Sequence, residues 1–499
     1  MAKVAIIGTG MGSLSAAALL VRDGHAVEVW EQNYLPGGCT SAYFRKGYIF
    51  EAGATTLVGL DAGMPLAHLL EQTGIRLDVL ELQPVSMAVH FADGERIERA
   101  KDMATWIREA ERLFGGRQAE FWRYCERVAA FVWRTSLRQR AFPPRSWGDL
   151  WATLRGFEWT QLRFATLAFS NMRALLQRFG LDKNERFVDF VNAQLLITAQ
   201  NDCDNTNILF GATALCYTNY SNYYVWGGMI QLVRPICEYI EAQGGAIHYR
   251  RGVQRIDSLP SGGYLLHGSD GAQMQADYIV SGVPVQSSIG FFEAAEQPLN
   301  RRLQRLKSKL LPSEKLHSAF QMSIGFAKSP TWSAQTPLHH QIHLAEPLPV
   351  VGSTSIFISF SHPDDFTRAA EGEMVASVST HFHDPARWQQ DTDTRPIEEA
   401  IFAALERHGL LSRAQVRYHH CATPATWARW TQRPYGFVGG YPQYLHIRPW
   451  QMFDARLDGH RAYQCGDTTY PGQGIVGTCL SGIIAYEKMK IDGLSPKKR

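Results

Sequence analysis

Lys3-Val4-Ala5-Ile6-Ile7-Gly8-Thr9-Gly10-Met11-Gly12-Ser13 stands at the start of the chain, and Ala26-Val27-Glu28-Val29-Trp30-Glu31 follows it closely. Val4 to Ile7 reads as a short apolar strand that runs into a glycine turn, Gly8 to Ser13. Leu14 to Asp23, rich in alanine and leucine, reads as a helix stopped by Gly24. The second segment reads as another strand, closing on Glu31. Strand, helix and strand in this order form a βαβ unit. In a dinucleotide-binding turn the small residues have separate tasks. Gly8 permits the tight turn, and Gly10 lets the backbone approach a pyrophosphate. A third small residue lets helix and strand pack closely; here Ser13 holds that place, with Gly12 beside it. The helix start, from Met11, offers free N–H groups and a partial positive charge to phosphates. Glu31, about 20 residues on, is where a carboxylate grips ribose hydroxyls. Its charge disfavours a 2′-phosphate, and hence NADP.

Working outward, Pro36-Gly37-Gly38-Cys39-Thr40-Ser41 places a glycine pair just after Glu31. This resembles two-dinucleotide-fold flavoproteins, in which such a pair gives a second backbone cradle for the pyrophosphate. Gly53-Ala54-Thr55 follows the strand-like Tyr48-Ile49-Phe50, and small residues there let backbone come against a flavin face. Near the other end, Gly466-Asp467-Thr468-Thr469-Tyr470-Pro471-Gly472-Gln473-Gly474 lies between the strand Ala462 to Cys465 and a helix from Ile475 to Lys488. Asp467 is suited to a sugar-like hydroxyl chain, which in flavoproteins of this type is the ribityl. The N–H groups near Ile475 and Val476 point at the flavin pyrimidine edge, where they stabilise negative charge. Val253 is counted with these contacts. The expected cofactor is a tightly held, non-covalent FAD.

Glu31 to Gly38, Gly53-Ala54-Thr55, Trp226-Gly227-Gly228-Met229 and Gly466 to Gly474 together resemble the phytoene desaturase and carotene cis-trans isomerase family of FAD-dependent oxidoreductases. The last run resembles most the isomerase and carotenoid 3,4-desaturase branches. The resemblance spans the chain. It is strong in the FAD segments and loose in residues 100–210 and 290–420. Cys39 departs from it, because many relatives place an arginine after the glycine pair, and this leaves the branch open. The resemblance implies an α/β fold with a two-dinucleotide-binding-fold FAD domain, a flavin N5 that accepts hydride, and a long tunnel for a hydrophobic polyene. It implies a carotenoid desaturase first and a redox-neutral cis-trans isomerase second. A flavin amine oxidase and a non-enzymatic prenyl-lipid escort protein are further readings of the same scaffold. Intact Glu31, Gly37-Gly38 and Asp467 argue against the last.

At 499 residues the chain is too long for one compact core. The expected organisation is interleaved: a discontinuous FAD-binding domain over 1–75, 225–290 and 455–492; an α+β substrate domain over 76–100 and 291–454; and a helical cap over 101–224. A hydrophobic content of 45% and a charged content of 19% suit a globular protein, and a net charge of +3 gives no reason to expect nucleic acid. The eight cysteines are scattered, which fits a reduced, cytoplasmic protein better than a disulfide framework. The apolar run after Lys3 stops at Gly8 and is not read as a signal peptide. No window reaches the roughly 18–20 apolar residues that cross a bilayer.

Tyr217, Tyr220, Tyr223, Tyr224 and Trp226 crowd one segment. Aromatic faces suit a flat conjugated hydrocarbon, so these residues are expected along the tunnel, although an aromatic core strand would look the same. No general base announces itself. Asp202 and Asp204 lie near this segment without a geometric reason to promote them, and the catalytic residues stay unassigned. His339, His340 and His343, His381 and His383, and His419-His420-Cys421 have ligand-like spacing. No acidic set completes them, and no metal is expected. Lys307, Lys309 and Lys315 read as solvated helix residues rather than an amine oxidase's lysine. From Trp133 to Arg163, Trp133, Trp147, Trp151 and Trp159 mix with arginines, a composition suited to a membrane interface and shared by a solvated helical cap. The protein is therefore expected to sit peripherally on a membrane surface. No second Gly-x-Gly follows a strand, so the reduced flavin is expected to pass electrons to quinone or oxygen rather than to a nicotinamide.

Overall fold

A computed structural model describes residues 1–260 and 262–496. At its nucleotide side lies a five-stranded, fully parallel sheet. Its spatial order is Ala462–Gln464, Tyr278–Ser281, Lys3–Ile7, Ala26–Trp30 and Ala246–His248. Strands covered on both faces read as apolar runs, and Val4 to Ile7 is buried throughout. Sequence order reverses between Lys3–Ile7 and Tyr278–Ser281. In open parallel sheets the crevice beyond the carboxyl ends at such a point receives the ligand. Gly8, Glu31, Gly282 and Gly466 all follow carboxyl ends of these strands.

The helix Met11–Arg22 lies against the helix Ile475–Ile491. The seam is too close for side chains. A Cβ on Gly12 would stand 2.9 Å from the Gly466 nitrogen and 3.0 Å from the Thr478 carbonyl oxygen.

Ala276 to Val280, continuous in sequence, divides between two strands. Gln273–Ala276 closes a three-stranded antiparallel sheet with Val253–Ser258 and Tyr264–Gly268, while Tyr278–Ser281 joins the parallel sheet. Asp277 makes the break. Its carboxylate accepts from the Lys3 N–H at 2.8 Å, and its own N–H donates to the Lys3 carbonyl at 2.8 Å.

A seven-stranded sheet forms the second layer. Its order is Val416–Ala422, His317–Ala327, Glu373–His383, Ser355–Phe360, His339–His343, Val85–His90 and Arg96–Ala100. All neighbours are antiparallel except His339–His343 with Val85–His90. The helices between Met103 and Leu215 bury a core of their own, with Trp106, Trp122, Phe187 and Phe190 at its centre. Arg99 is buried among them, its guanidinium 4.2 Å from the Trp106 ring and donating to the Leu215 carbonyl at 2.6 Å. Burial holds its pKa down to about 10. No helix among the described residues is long and apolar enough to cross a membrane.

Candidate functional site

Gly8 takes φ +83°, which a side chain would resist, and its N–H donates to the Trp30 carbonyl at 2.8 Å. The chain then enters the helix at Gly10, where a Cβ would meet nothing within 4 Å. The helix start therefore opens on a cleft of about 120 Å³ that Glu31, Gly37, Gly38, Cys39, Val253 and Gly466 also line. Glu31 is only 4% exposed. Its Oε2 accepts from the Thr9 N–H at 2.8 Å and from the Thr9 hydroxyl at 2.5 Å, and its Oε1 accepts from the Asn33 N–H at 2.8 Å. The Gly37 N–H donates in turn to Thr9 Oγ1 at 3.1 Å. One carboxylate thus ties the two glycine segments together. A carboxylate has about four acceptor positions, so capacity remains for a sugar hydroxyl.

Ser13, expected as a cofactor contact, does not line the cleft. It packs beneath Gly282, where a Cβ would stand 1.9 Å from its Oγ. The close-packing task is divided: Gly12 admits the C-terminal helix, and Gly282 makes room for Ser13.

Cys39, Thr40, Asp467 and Thr478 line both this cleft and a second space of about 740 Å³. That volume lies within the roughly 300–1,000 Å³ of small-ligand pockets. Gly53, Ala54 and Thr55 contribute to its wall, as do Gly474, Ile475 and Val476. Phenylalanines 131, 142, 157 and 357 give it an apolar lining. A polar band crosses it, because alternation along the strand Glu373–His383 turns Ser377, Ser379 and His381 to the same face. The His381 side chain is hydrogen-bonded to no described residue. Burial lowers its pKa to about 4, so the ring is neutral at neutral pH.

Of the five aromatic residues expected along the tunnel, Tyr217 alone lines the cavity among the described residues. Tyr220 meets Trp133 edge-on at 6.1 Å. Tyr223 pairs through its backbone with Leu57 and Glu81. The Tyr224 hydroxyl and the Gly227 N–H both donate to Asp365 Oδ2, at 2.6 and 2.9 Å, and Trp226 packs on His362. Beside them, Arg368 pairs with buried Glu51 at 2.8 Å. These polar demands draw Tyr224 and Trp226 into a joint between the two layers and away from the cavity.

The other singled-out groups have structural partners. Asp202 accepts from the N–H groups of Asp204 and Asn205, and Asp204 pairs with Arg173. His340 meets His90 at 3.0 Å, and His339 meets Ser359 at 2.8 Å. Among the described residues no three His, Cys, Asp or Glu side chains converge on a metal position. Lys307 pairs with Glu293, and neither Lys309 nor Lys315 lines the cavity.

One residue was not legible beforehand. Arg433, from an irregular segment after the helix Pro424–Thr431, reaches the cleft and donates to Asp467 Oδ2 at 2.6 Å. No spacing or motif marks it. The helix Trp147–Arg155, whose Thr153 lines the cavity, turns an apolar stripe outward: Trp147, Leu150, Trp151 and Leu154 at i, i+3, i+4 and i+7. Trp147 is 80% and Trp151 64% exposed, and nearby Trp159 is 82% exposed.

Residues 14–487 match the family of flavin containing amine oxidoreductases. The chain is 24% identical to the chloroplastic prolycopene isomerase of Arabidopsis thaliana, over 99% of this chain and 84% of that one. It is 22% identical to the zeta-carotene-forming phytoene desaturase of Myxococcus xanthus, over 98% of this chain and 93% of that one. Among solved structures, putrescine oxidase bound to putrescine shares the fold with a TM-score of 0.65, at 15% identity over 98% of this chain and 99% of that one.

Proposed function

This chain belongs to the flavin containing amine oxidoreductase family and is an FAD-dependent oxidoreductase, and we propose that its substrate is a carotenoid-class polyene, which it desaturates. The carrying observation is the junction at Cys39, Thr40, Asp467 and Thr478, where a largely apolar cavity of about 740 Å³ meets the nucleotide cleft. A hydrocarbon has no polar handles, and a wall built from phenylalanine and small residues suits it. The two carotenoid enzymes that match nearly the full chain support the same substrate class.

When bound, FAD supplies a two-electron acceptor. The residues of this chain do the rest. The backbone N–H groups of Gly10 to Gly12 and of Gly38 would face the pyrophosphate, and Glu31 would take a ribose hydroxyl. Asp467 takes the ribityl. The start of the helix Ile475–Ile491, on the cavity wall, would set its positive end toward the pyrimidine edge and favour negative charge there. Gly53, Ala54 and Thr55 let backbone approach the ring face. Tyr217 and the phenylalanines keep water from the polyene. Desaturation removes a hydride and a proton from adjacent carbons and leaves one new double bond. His381, on the cavity wall and unprotonated at neutral pH, takes the proton. The electrons leave to quinone or oxygen.

The outward stripe on Trp147–Arg155, carried on a helix that also lines the cavity, supports peripheral docking on a cytoplasmic membrane face, where such a substrate dissolves. Redox-neutral cis-trans isomerisation is the second reading, favoured by the similarity to prolycopene isomerase. Anaerobic mixing of holoenzyme with liposomal polyenes tests the proposal. The flavin should bleach with the polyene and not with benzylamine. Bleaching by the amine without lipid would replace the proposal with amine oxidation.

A further inference from the structure

We infer that Arg433 is the cation that holds the diphosphate of the cofactor. This rests on the reading that FAD spans the cleft between Gly10 and Asp467.

A diphosphate is a dianion, and the cleft already holds two carboxylates, those of Glu31 and Asp467. Backbone N–H groups and a helix end offset part of that charge. Among the described residues that line the cleft, Arg433 is the only lysine or arginine. Its side chain is 10% exposed. One guanidinium nitrogen, Nη2, donates to Asp467, whereas Nε and Nη1 are buried without a hydrogen-bond partner among the described residues. Burying N–H groups of a charged side chain unpaired is costly, and no described residue supplies a second acceptor. A phosphate in the cleft supplies one. The planar fork of arginine matches two phosphate oxygens at once, which a lysine cannot do.

The backbone around Arg433 is wound to present it. Gln432 takes φ +53° and Tyr435 takes φ +57°, left-handed conformations that side chains rarely adopt. Gly436 is so close to the chain that a Cβ there would stand 1.9 Å from the Pro424 carbonyl oxygen. The Phe437 ring lies 5.0 Å from the guanidinium carbon and limits its movement. A surface arginine needs none of this. The same guanidinium holds Asp467, so one side chain orders the carboxylate for the ribityl and the charge for the phosphates.

FAD release from holoenzyme, followed by the flavin fluorescence that appears on dilution, tests the assignment. Arg433→Met should weaken FAD binding by about tenfold or more. Arg433→Lys should recover only part of the loss, because charge without the fork remains. Asp467→Asn separates the two tasks. If Arg433 acts only by orienting Asp467, Arg433→Met and Asp467→Asn lose affinity equally, and that equality would overturn the assignment. A greater loss in Arg433→Met supports it. Should Arg433→Met not fold, the charge-neutral pair Arg433→Met with Asp467→Asn carries the same comparison against Asp467→Asn alone. Wild-type protein that binds no FAD would instead remove the underlying reading, which is a separate and visible result.

Discussion

The carbonyl oxygen of Gly12 lies 2.1 Å from the point where a Cβ on Gly482 would stand. Two helices from opposite ends of the chain meet there, and the seam brings the turn after Lys3–Ile7 against Gly466. Gly482→Ala forces the backbones apart. It should lower stability by about 1–3 kcal/mol, as overpacking does, and reduce FAD retention in parallel. Gly10→Ala is the control, since no atom lies within 4 Å of its Cβ position. It should melt normally without cofactor and yet bind FAD poorly, because the new methyl enters the cleft. Thermal unfolding of both apoproteins decides; equal melting of Gly482→Ala and wild type would contradict the seam.

Glu31 should be as important to the cleft's shape as to its charge. Its Oε2 takes both Thr9 donors, and Thr9 in turn receives the Gly37 N–H. Glu31→Gln keeps the size but sets an amide where two donors need acceptors, and should weaken FAD binding by about tenfold. Glu31→Arg should purify without flavin. A fully yellow Glu31→Arg protein would show that the ribose sits elsewhere.

Legibility followed locality. The turn Gly8 to Ser13, the strand Ala26–Trp30 and the helix opening at Ile475 are set by residues adjacent in sequence, and they carry their own signals. The dependence of Ser13 on Gly282 was hidden, because the two are brought together only by the parallel pairing of Lys3–Ile7 with Tyr278–Ser281. Tyr224 and Trp226 misled for a related reason: an aromatic cluster looks the same beside a ligand or beside Asp365 and His362. Arg433 left no trace, since its place depends on left-handed turns at Gln432 and Tyr435 that no local pattern announces.

Acid should unfold this protein early. Burial lowers the pKa of His339, His343 and His381 to about 4 and that of His340 to about 3, against an ordinary 6.5. The folded chain therefore binds fewer protons than the unfolded chain between about pH 6.5 and 4. Stability contributed by the neutral rings is present above 6.5 and is lost as pH falls through that window. Urea midpoints should be level above pH 7 and fall below 6.5, and His339→Gln should flatten the fall. A midpoint independent of pH from 7 to 4 would refute this. Turnover of the folded enzyme should hold until the pH nears 4, where His381 becomes protonated.

Membrane docking has a direct readout. Intact protein should sediment with anionic liposomes, and replacing Trp147, Trp151 and Trp159 by serine should weaken sedimentation while the flavin stays bound. All three side chains lie outward, so the fold has little to lose. Equal sedimentation of the two proteins would make the stripe a plain surface feature.

Desaturation of a polyene changes its mass, and isomerisation does not. The most direct measurement is the mass of polyenes recovered after holoenzyme is incubated with a carotenoid panel in liposomes and a soluble quinone. One class of carotenoid should lose two hydrogens per turnover, with quinone consumed in equal amount and NAD or NADP without effect. Recovery of the whole panel at unchanged mass, whether or not double-bond geometry has shifted, would contradict desaturation.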